Sequence, residues 1–200
     1  MAAAEHPSDD ELIAGTARGD REAFAALYRR RRSDVYRFAL HVSGSPPLAD
    51  DVTQDVFMAV IHDAERYQPG RSGVVPWLLG IARNHVRRWM ERERPALSLP
   101  DDESDAGRAL AVETDPLAGL TRSRHAMALR RSLLTLPVKY REAIVLCDLQ
   151  ELSYADAATA LRCAVGTVRS RLHRGRALLA GRLRESDDAL FRSPAARWIP

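Results

Sequence analysis

Aromatic residues make up only 6% of this 200-residue chain, cysteine occurs twice, and Lys139 is its sole lysine. Each scarcity narrows the field. Cys147 and Cys163 form no CxxC pair and have no matching histidine cluster, so they support neither a disulfide framework nor a zinc site. Both fall in apolar helical surroundings and are expected as buried free thiols. The longest mostly apolar run, Val74 to Ala82, is far too short to span a bilayer. The opening MAAAEHPSDDEL lacks a basic region followed by an apolar core. No signal peptide and no membrane insertion are therefore expected, but a soluble, cytoplasmic protein kept reduced. The near-absence of lysine needs no more than a GC-rich genome to explain it.

Alanine and arginine are abundant, and with few aromatics they favour helices over sheets. The formal net charge of +3 conceals strong segregation along the chain. Its most basic stretch is Leu152 to Ala180, LSYADAATALRCAVGTVRSRLHRGRALLA, with no acid between Asp156 and Glu185. Ser153 is an expected N-cap, and Tyr154, Ala157, Ala158 and Leu161 recur at helical spacing. Arg162, Cys163 and Ala164 connect to a second helix with the apolar stripe Val165, Val168, Leu172, Gly175 and Leu179. Opposite that stripe fall Gly166, Thr167, Arg169, Ser170, His173, Arg174 and Ala177, flanked by Arg171 and Arg176. Small and hydroxyl residues at a helix start, with arginines behind, suit the DNA major groove. The first turns reach base edges while flanking arginines hold phosphates.

Taken in order, the chain begins with a capping box, Ser8-Asp9-Asp10-Glu11, and a short helix. Asp20 caps a longer one that continues to about Ser43, where Gly44-Ser45-Pro46-Pro47 breaks the pattern. A third helix is expected over Leu48 to Glu65. Its apolar set is Val52, Val56, Phe57, Val60 and Ile61, and its acidic side Asp50, Asp51, Gln54, Asp55 and Asp63. An acidic face in a basic chain repels nucleic acid and fits solvent or a basic protein surface. After the polar loop from Tyr67 to Gly73, Pro76 suits the first turn of a helix reaching about Arg94. Trp77, Leu78, Ile81, Ala82, Val86, Trp89 and Met90 form its apolar side. Arg83, Asn84, Arg87 and Arg88 give it a second basic surface, with His85 among them.

Helical periodicity dissolves from Pro95 to Gly119, where six acids meet one base, a local charge of −5. Fully extended, this linker spans at most about 80 Å. Periodicity returns at Leu120, and Leu136-Pro137 precedes an apolar helix carrying Tyr140, Ala143, Ile144, Val145, Cys147 and Leu149. It fades after Leu183, leaving Ser186 to Pro200 as a tail. The expected fold is all-α. Two small helical domains, 8–94 and 120–185, flank a flexible acidic linker at 95–119, and the second contains a helix-turn-helix. His62 beside Asp63, or His85 near Glu91 and Glu93, resemble acid–base pairs only superficially. No nucleophile, metal spacing or phosphate-binding glycine loop accompanies them, so no enzyme, cofactor or metal is expected.

Several stretches resemble a known family in sequence order. Asp51-Val52-Thr53-Gln54-Asp55-Val56-Phe57 is similar to its DLTQEVF helix, and Pro76-Trp77-Leu78-Leu79-Gly80-Ile81-Ala82-Arg83-Asn84 to its WLxxIAxN helix. Leu136-Pro137 with Arg141-Glu142 resembles its LPxxxREA segment. Leu152 to Ala158 and Val165 to Leu172 complete the match. The family is the extracytoplasmic-function (ECF) class of bacterial RNA polymerase sigma factors, and the resemblance covers about Asp10 to Leu183. It implies that Asp51, Gln54 and Asp55 dock on the β′ clamp helices of core polymerase, with the β subunit as a further contact. Tyr67, Arg71, Arg83, Asn84, Arg87 and Arg88 would read and open the minus-ten element, where a base is flipped out of the stack. Thr167, Arg169, Ser170, Arg171, His173, Arg174 and Arg176 would meet the minus-thirty-five element. The acidic linker would thread the RNA-exit path. The resemblance also implies a monomer when free, and many members are held inactive by an anti-sigma factor. A stand-alone helix-turn-helix repressor or activator is the alternative.

Overall fold

The computed structural model describes residues 7–70, 72–93 and 120–192, and every regular element among them is helical. The first half contains α1 (Asp9–Ala17), α2 (Arg21–Ser43), α3 (Pro46–Asp63) and α4 (Val74–Arg92). The second contains α5 (Leu120–Leu134), α6 (Val138–Ile144), α7 (Tyr154–Leu161) and α8 (Val165–Arg192). The linker expected at 95–119 lies outside the described residues.

Local chemistry sets most of the boundaries. Ser8 Oγ accepts from the Glu11 amide while the Glu11 carboxylate accepts from the Ser8 amide, completing the expected capping box. Asp20 accepts from the Glu22 and Ala23 amides at 2.9 and 3.1 Å and starts α2. Gly44 ends that helix in the left-handed region at φ 76°. Here glycine is required twice over, because an added Cβ would also stand 2.7 Å from Leu134 Cδ1. The break is shorter than the run of prolines suggests. Pro46 and Pro47 open α3, where no amide is needed, and Ser45 caps it by accepting from the Leu48 amide.

Four sequence expectations shift. The segment after α6 is a π turn over Val145–Leu149. The extra residue in that turn rotates the register, so Leu149 is exposed and Cys147 only half-buried. Cys163 is likewise free and half-buried rather than enclosed. Ile61 was placed on the apolar side of α3 by periodicity, yet it is 47% exposed, beside Met58 at 48%. Finally, α8 does not stop near Leu183 but runs to Arg192. No proline or glycine intervenes between Leu183 and Arg192 to stop the backbone ladder.

One buried cluster runs through both halves. Leu27, Val35, Phe38, Val56, Leu78 and Leu79 belong to it from the first, and Leu133, Ile144, Leu146, Leu161 and Leu172 from the second. Phe24, Tyr28 and Phe57 meet edge-to-face at its rim, the closest ring centroids 4.9 Å apart. The halves are packed together chiefly by α4 against α7 and by α2 against α5 and α6. At the first contact Gly80 presents its bare backbone, and a Cβ there would lie 3.6 Å from the Ala160 carbonyl oxygen.

Candidate nucleic-acid and polymerase interfaces

The helix-turn-helix forms as its residues dictate. Ser153 caps α7 by accepting from the Asp156 amide, and Arg162 ends it in the left-handed region at φ 51°. The next helix, α8, starts at Val165 after the turn Arg162-Cys163-Ala164. Val168, Leu172 and Gly175 are buried along its inner stripe. Gly175 costs helix propensity, and its reason is now visible. A Cβ there would sit 3.0 Å from Ile144 Cδ1 and 3.2 Å from Tyr140 Cβ, so glycine lets α8 lie directly on α6.

Opposite that stripe, Arg169, Ser170, His173, Arg174 and Arg176 are exposed, with Thr167 and Arg171 half-buried. The Arg169 guanidinium stands over the Tyr154 ring, 5.9 Å from its centroid. Asp148 on the π turn takes Arg176 in a two-pronged ion pair at 2.6 and 3.0 Å. Burial first, and the Asp148 charge next, push the Cys147 thiol up to about 11, so it is a poor nucleophile near neutral pH.

The second basic surface is arranged differently. Arg83 and Arg87 both turn toward Glu142, a carboxylate of the other half that is 0% exposed. Arg87 Nε donates to Glu142 Oε1 at 2.8 Å, and Arg83 Nε lies 3.0 Å from the same oxygen. The Arg83 approach is an ion pair without hydrogen-bond alignment, for its buried Nε finds no acceptor. Asn84 is half-buried and only Arg88 is exposed. Tyr67 is buried at 7% exposure, its hydroxyl 2.6 Å from Asp10 Oδ1 and 2.8 Å from the Ser72 carbonyl. Burial, then the Asp10 carboxylate, hold its pKa above the ordinary phenol value. Its ring packs on Trp77, centroids 5.2 Å apart. Arg71 lies outside the described residues.

The acidic face of α3 is open. Asp51, Gln54 and Asp55 are all exposed, and His85 Nδ1 approaches Asp55 Oδ2 at 3.1 Å. Met58 and Ile61 continue the same helical row, so the acidic patch grades into an apolar one. Among the described residues, no cluster of His, Cys, Asp or Glu could hold a metal ion, and no helix is long and apolar enough to cross a membrane.

Two residues named earlier only within a motif turn out to join the halves. Arg141, 1% exposed, donates from its guanidinium to the carbonyls of Leu133, Leu134 and Leu136 at the end of α5 and of Val42 at the end of α2. Glu142 follows it and takes the α4 arginines. The sequence signal was an Arg-Glu pair running directly into the apolar stretch Ala143-Ile144-Val145-Leu146, where two adjacent charges demand buried partners.

These features place the chain among known proteins. Sigma-70 region 2 matches residues 27–95, and Sigma-70, region 4 matches residues 126–179. The chain is 36% identical over 177 residues to the ECF RNA polymerase sigma factor SigE of Mycolicibacterium smegmatis, covering 85% of this chain and 67% of that protein. It is 37% identical over 175 residues to SigM of Mycobacterium tuberculosis, covering 86% and 83%. In three dimensions it is similar to CnrH, solved in complex with the cytosolic domain of CnrY. That match has a TM-score of 0.68 at 27% identity, covering 90% of this chain and 99% of that one. The chain belongs to the ECF sigma factors of the sigma-70 family.

Proposed function

We propose that this chain is a sigma factor that binds core RNA polymerase and directs it to promoters through two separate reading surfaces. One observation carries the reading. The exposed α8 face is basic, the exposed α3 face is acidic, and each falls within one of the two matched sigma-70 regions. On this reading Arg169, Ser170, His173 and Arg174 meet base edges at the minus-thirty-five element. Thr167, Arg171 and Arg176 hold phosphate or pack. The α4 surface of Arg83, Asn84, Arg87 and Arg88, with Arg71 in the preceding loop, serves the minus-ten element. The burial of Tyr67 favours a supporting part for it, shaping that loop through Asp10 and Ser72 rather than touching a base. Asp51, Gln54 and Asp55 dock on the β′ clamp helices, with Met58 and Ile61 supplying apolar contact beside them. The chain contributes no catalytic step of its own; polymerase does the chemistry. An anti-sigma factor is a further expected partner; CnrH, which this chain resembles in three dimensions, is solved in complex with the cytosolic domain of CnrY.

Run-off transcription with core polymerase tests the reading, followed by sequencing of the transcripts. Initiation from a shared promoter motif is the expected result. Tight promoter binding by the chain alone, without any initiation on core enzyme, would instead point to a stand-alone regulator. Reversing Asp51 and Asp55 to lysine is expected to weaken polymerase binding at least about tenfold, a loss of about 1.4 kcal/mol. Unchanged helicity would show that the fold survived the reversal.

A further inference from the structure

Helix α1 carries no surface assigned to DNA or polymerase, yet it holds the loop that leads into α4. The joining residue is Tyr67, which meets three elements at once. Its hydroxyl stands 2.6 Å from Asp10 Oδ1 on α1 and 2.8 Å from the Ser72 carbonyl oxygen in the loop. Its ring packs on Trp77 of α4. We propose that Asp10 and Tyr67 are positioning residues for minus-ten reading. The phenol closes the 67–72 loop on itself, and Asp10 sets how tightly. What the loop reads rests on the sigma-factor reading above, whereas the clasp itself does not.

Hydrogen counting sets the balance. A phenol owns one hydrogen, and here two acceptors lie within bonding distance of it. The Asp10 carboxylate and the Ser72 carbonyl therefore compete for it. The carboxylate is the stronger acceptor and the nearer one, so the loop receives the smaller share. Tyr67 keeps that hydrogen at neutral pH, since burial and Asp10 hold its pKa above the ordinary phenol value. The anchor is itself fixed. Asp9, beside Asp10, is gripped by Arg30 and Arg31 of α2 at 2.8 and 2.6 Å, which seats the start of α1. At the far end, Gly73 opens α4 without a side chain to cap it, so the bond to Ser72 steadies that turn from outside. Between the two ends of the clasp, Gln68, Pro69 and Gly70 are exposed, and Gly70 turns the chain at φ 83°. Arg71, assigned to the minus-ten element, falls in this span by sequence. An exposed tip is thus carried on a buried base.

Two substitutions at this one contact are expected to act with opposite sign. Asp10→Asn puts an amide donor where the carboxylate stood, so its N–H donates to the phenol oxygen and the phenol hydrogen goes to Ser72 alone. Tyr67→Phe keeps the ring on Trp77 and loses both bonds. In the full chain without polymerase, hydrogen exchange read by mass spectrometry follows the amides between Tyr67 and Val74. Asp10→Asn is expected to slow their exchange about fivefold and Tyr67→Phe to speed it about as much, the worth of one net hydrogen bond. With core polymerase, each variant then transcribes two promoter pools, one randomised at the minus-ten element and one at the minus-thirty-five. Asp10→Asn is expected to sharpen base preference in the first pool and Tyr67→Phe to blunt it, with the second pool unchanged. Glu65→Gln makes the same charge change at an exposed site and is expected to alter neither readout. A merely structural role would move both variants the same way, or both pools together, and either result overturns the proposal. Unchanged exchange in both variants removes the clasp. Exchange that shifts as expected, with base preference unmoved, removes the positioning role alone. A wild-type chain that never initiates on core polymerase removes the sigma reading and that role together, while exchange still judges the clasp.

Discussion

Helices α4 and α8 each carry a row of arginines beside an apolar stripe, and the fold treats the two rows in opposite ways. On α8, Arg169 and Arg174 are exposed, and Tyr154 and Asp148 are drawn to that row. On α4, Arg83 and Arg87 converge on a carboxylate that water cannot reach. Similar composition thus yields one surface that stands exposed and another that is partly covered by the opposite half. A basic helix is a binding face only if nothing in the same chain out-competes the ligand. The difference lies in what packs opposite, not in the helices themselves.

The largest expected effect comes from removing the residue that seats the cover. Arg141→Ala leaves the carbonyls of Val42, Leu133, Leu134 and Leu136 without their buried donor. It is expected to cost about 3 kcal/mol or more in urea unfolding. A loss within a few tenths of a kcal/mol would mean the halves do not rest on this contact.

Next come the exposed arginines of α8. Arg174→Ala is expected to cost about 1–3 kcal/mol of binding in an initiation complex, with discrimination lost at one position of the minus-thirty-five element. A uniform loss over all sequences would assign it to phosphate, making α8 less unlike α4 than its exposure suggests. Arg162→Gly acts on the turn between α7 and α8. A non-glycine residue at φ 51° is strained, so glycine there is expected to raise stability by up to about 1 kcal/mol, measured by thermal unfolding.

The smallest effect is a dependence on pH at the join of α2 and α5. Burial first, then the charges of Arg130 and Arg37, hold the His41 pKa below its ordinary 6.5. The folded chain therefore binds this proton less readily than the unfolded chain does. Stability from this site is complete above pH 6.5 and declines as the pH falls below it. Unfolding curves for His41→Gln are expected to lose that part of the acid slope. An identical slope would place the acid sensitivity elsewhere.

What could be read from the sequence was the part governed by neighbours along the chain. Ser8, Asp20 and Ser153 are caps because a hydroxyl or carboxylate needs only amides two or three positions on. The α7–α8 turn and the exposed face of α8 follow from spacing alone. Ile61 misled because its apolar character fits a buried row, whereas the width of the row is set by what α3 packs against. The π turn left no residue signature, and it moved Cys147 and Leu149 off the inner face. Least legible of all was the closure over α4. Glu142 and Arg87 are 55 positions apart, and nothing local to either says that they meet.

Gly44 and Leu134 carry a consequence for any attempt to exchange parts among relatives. The bare turn that ends α2 is filled by a leucine from beyond the linker, as Gly80 is matched to the backbone of Ala160. A chimera cut within 95–119 would inherit one side of each fit and lose the other, while both of its halves still folded. Such a hybrid would tend to stand open. The unit to exchange is therefore not the domain but the pair of surfaces that meet, Gly44 with Leu134 and Gly80 with Ala160.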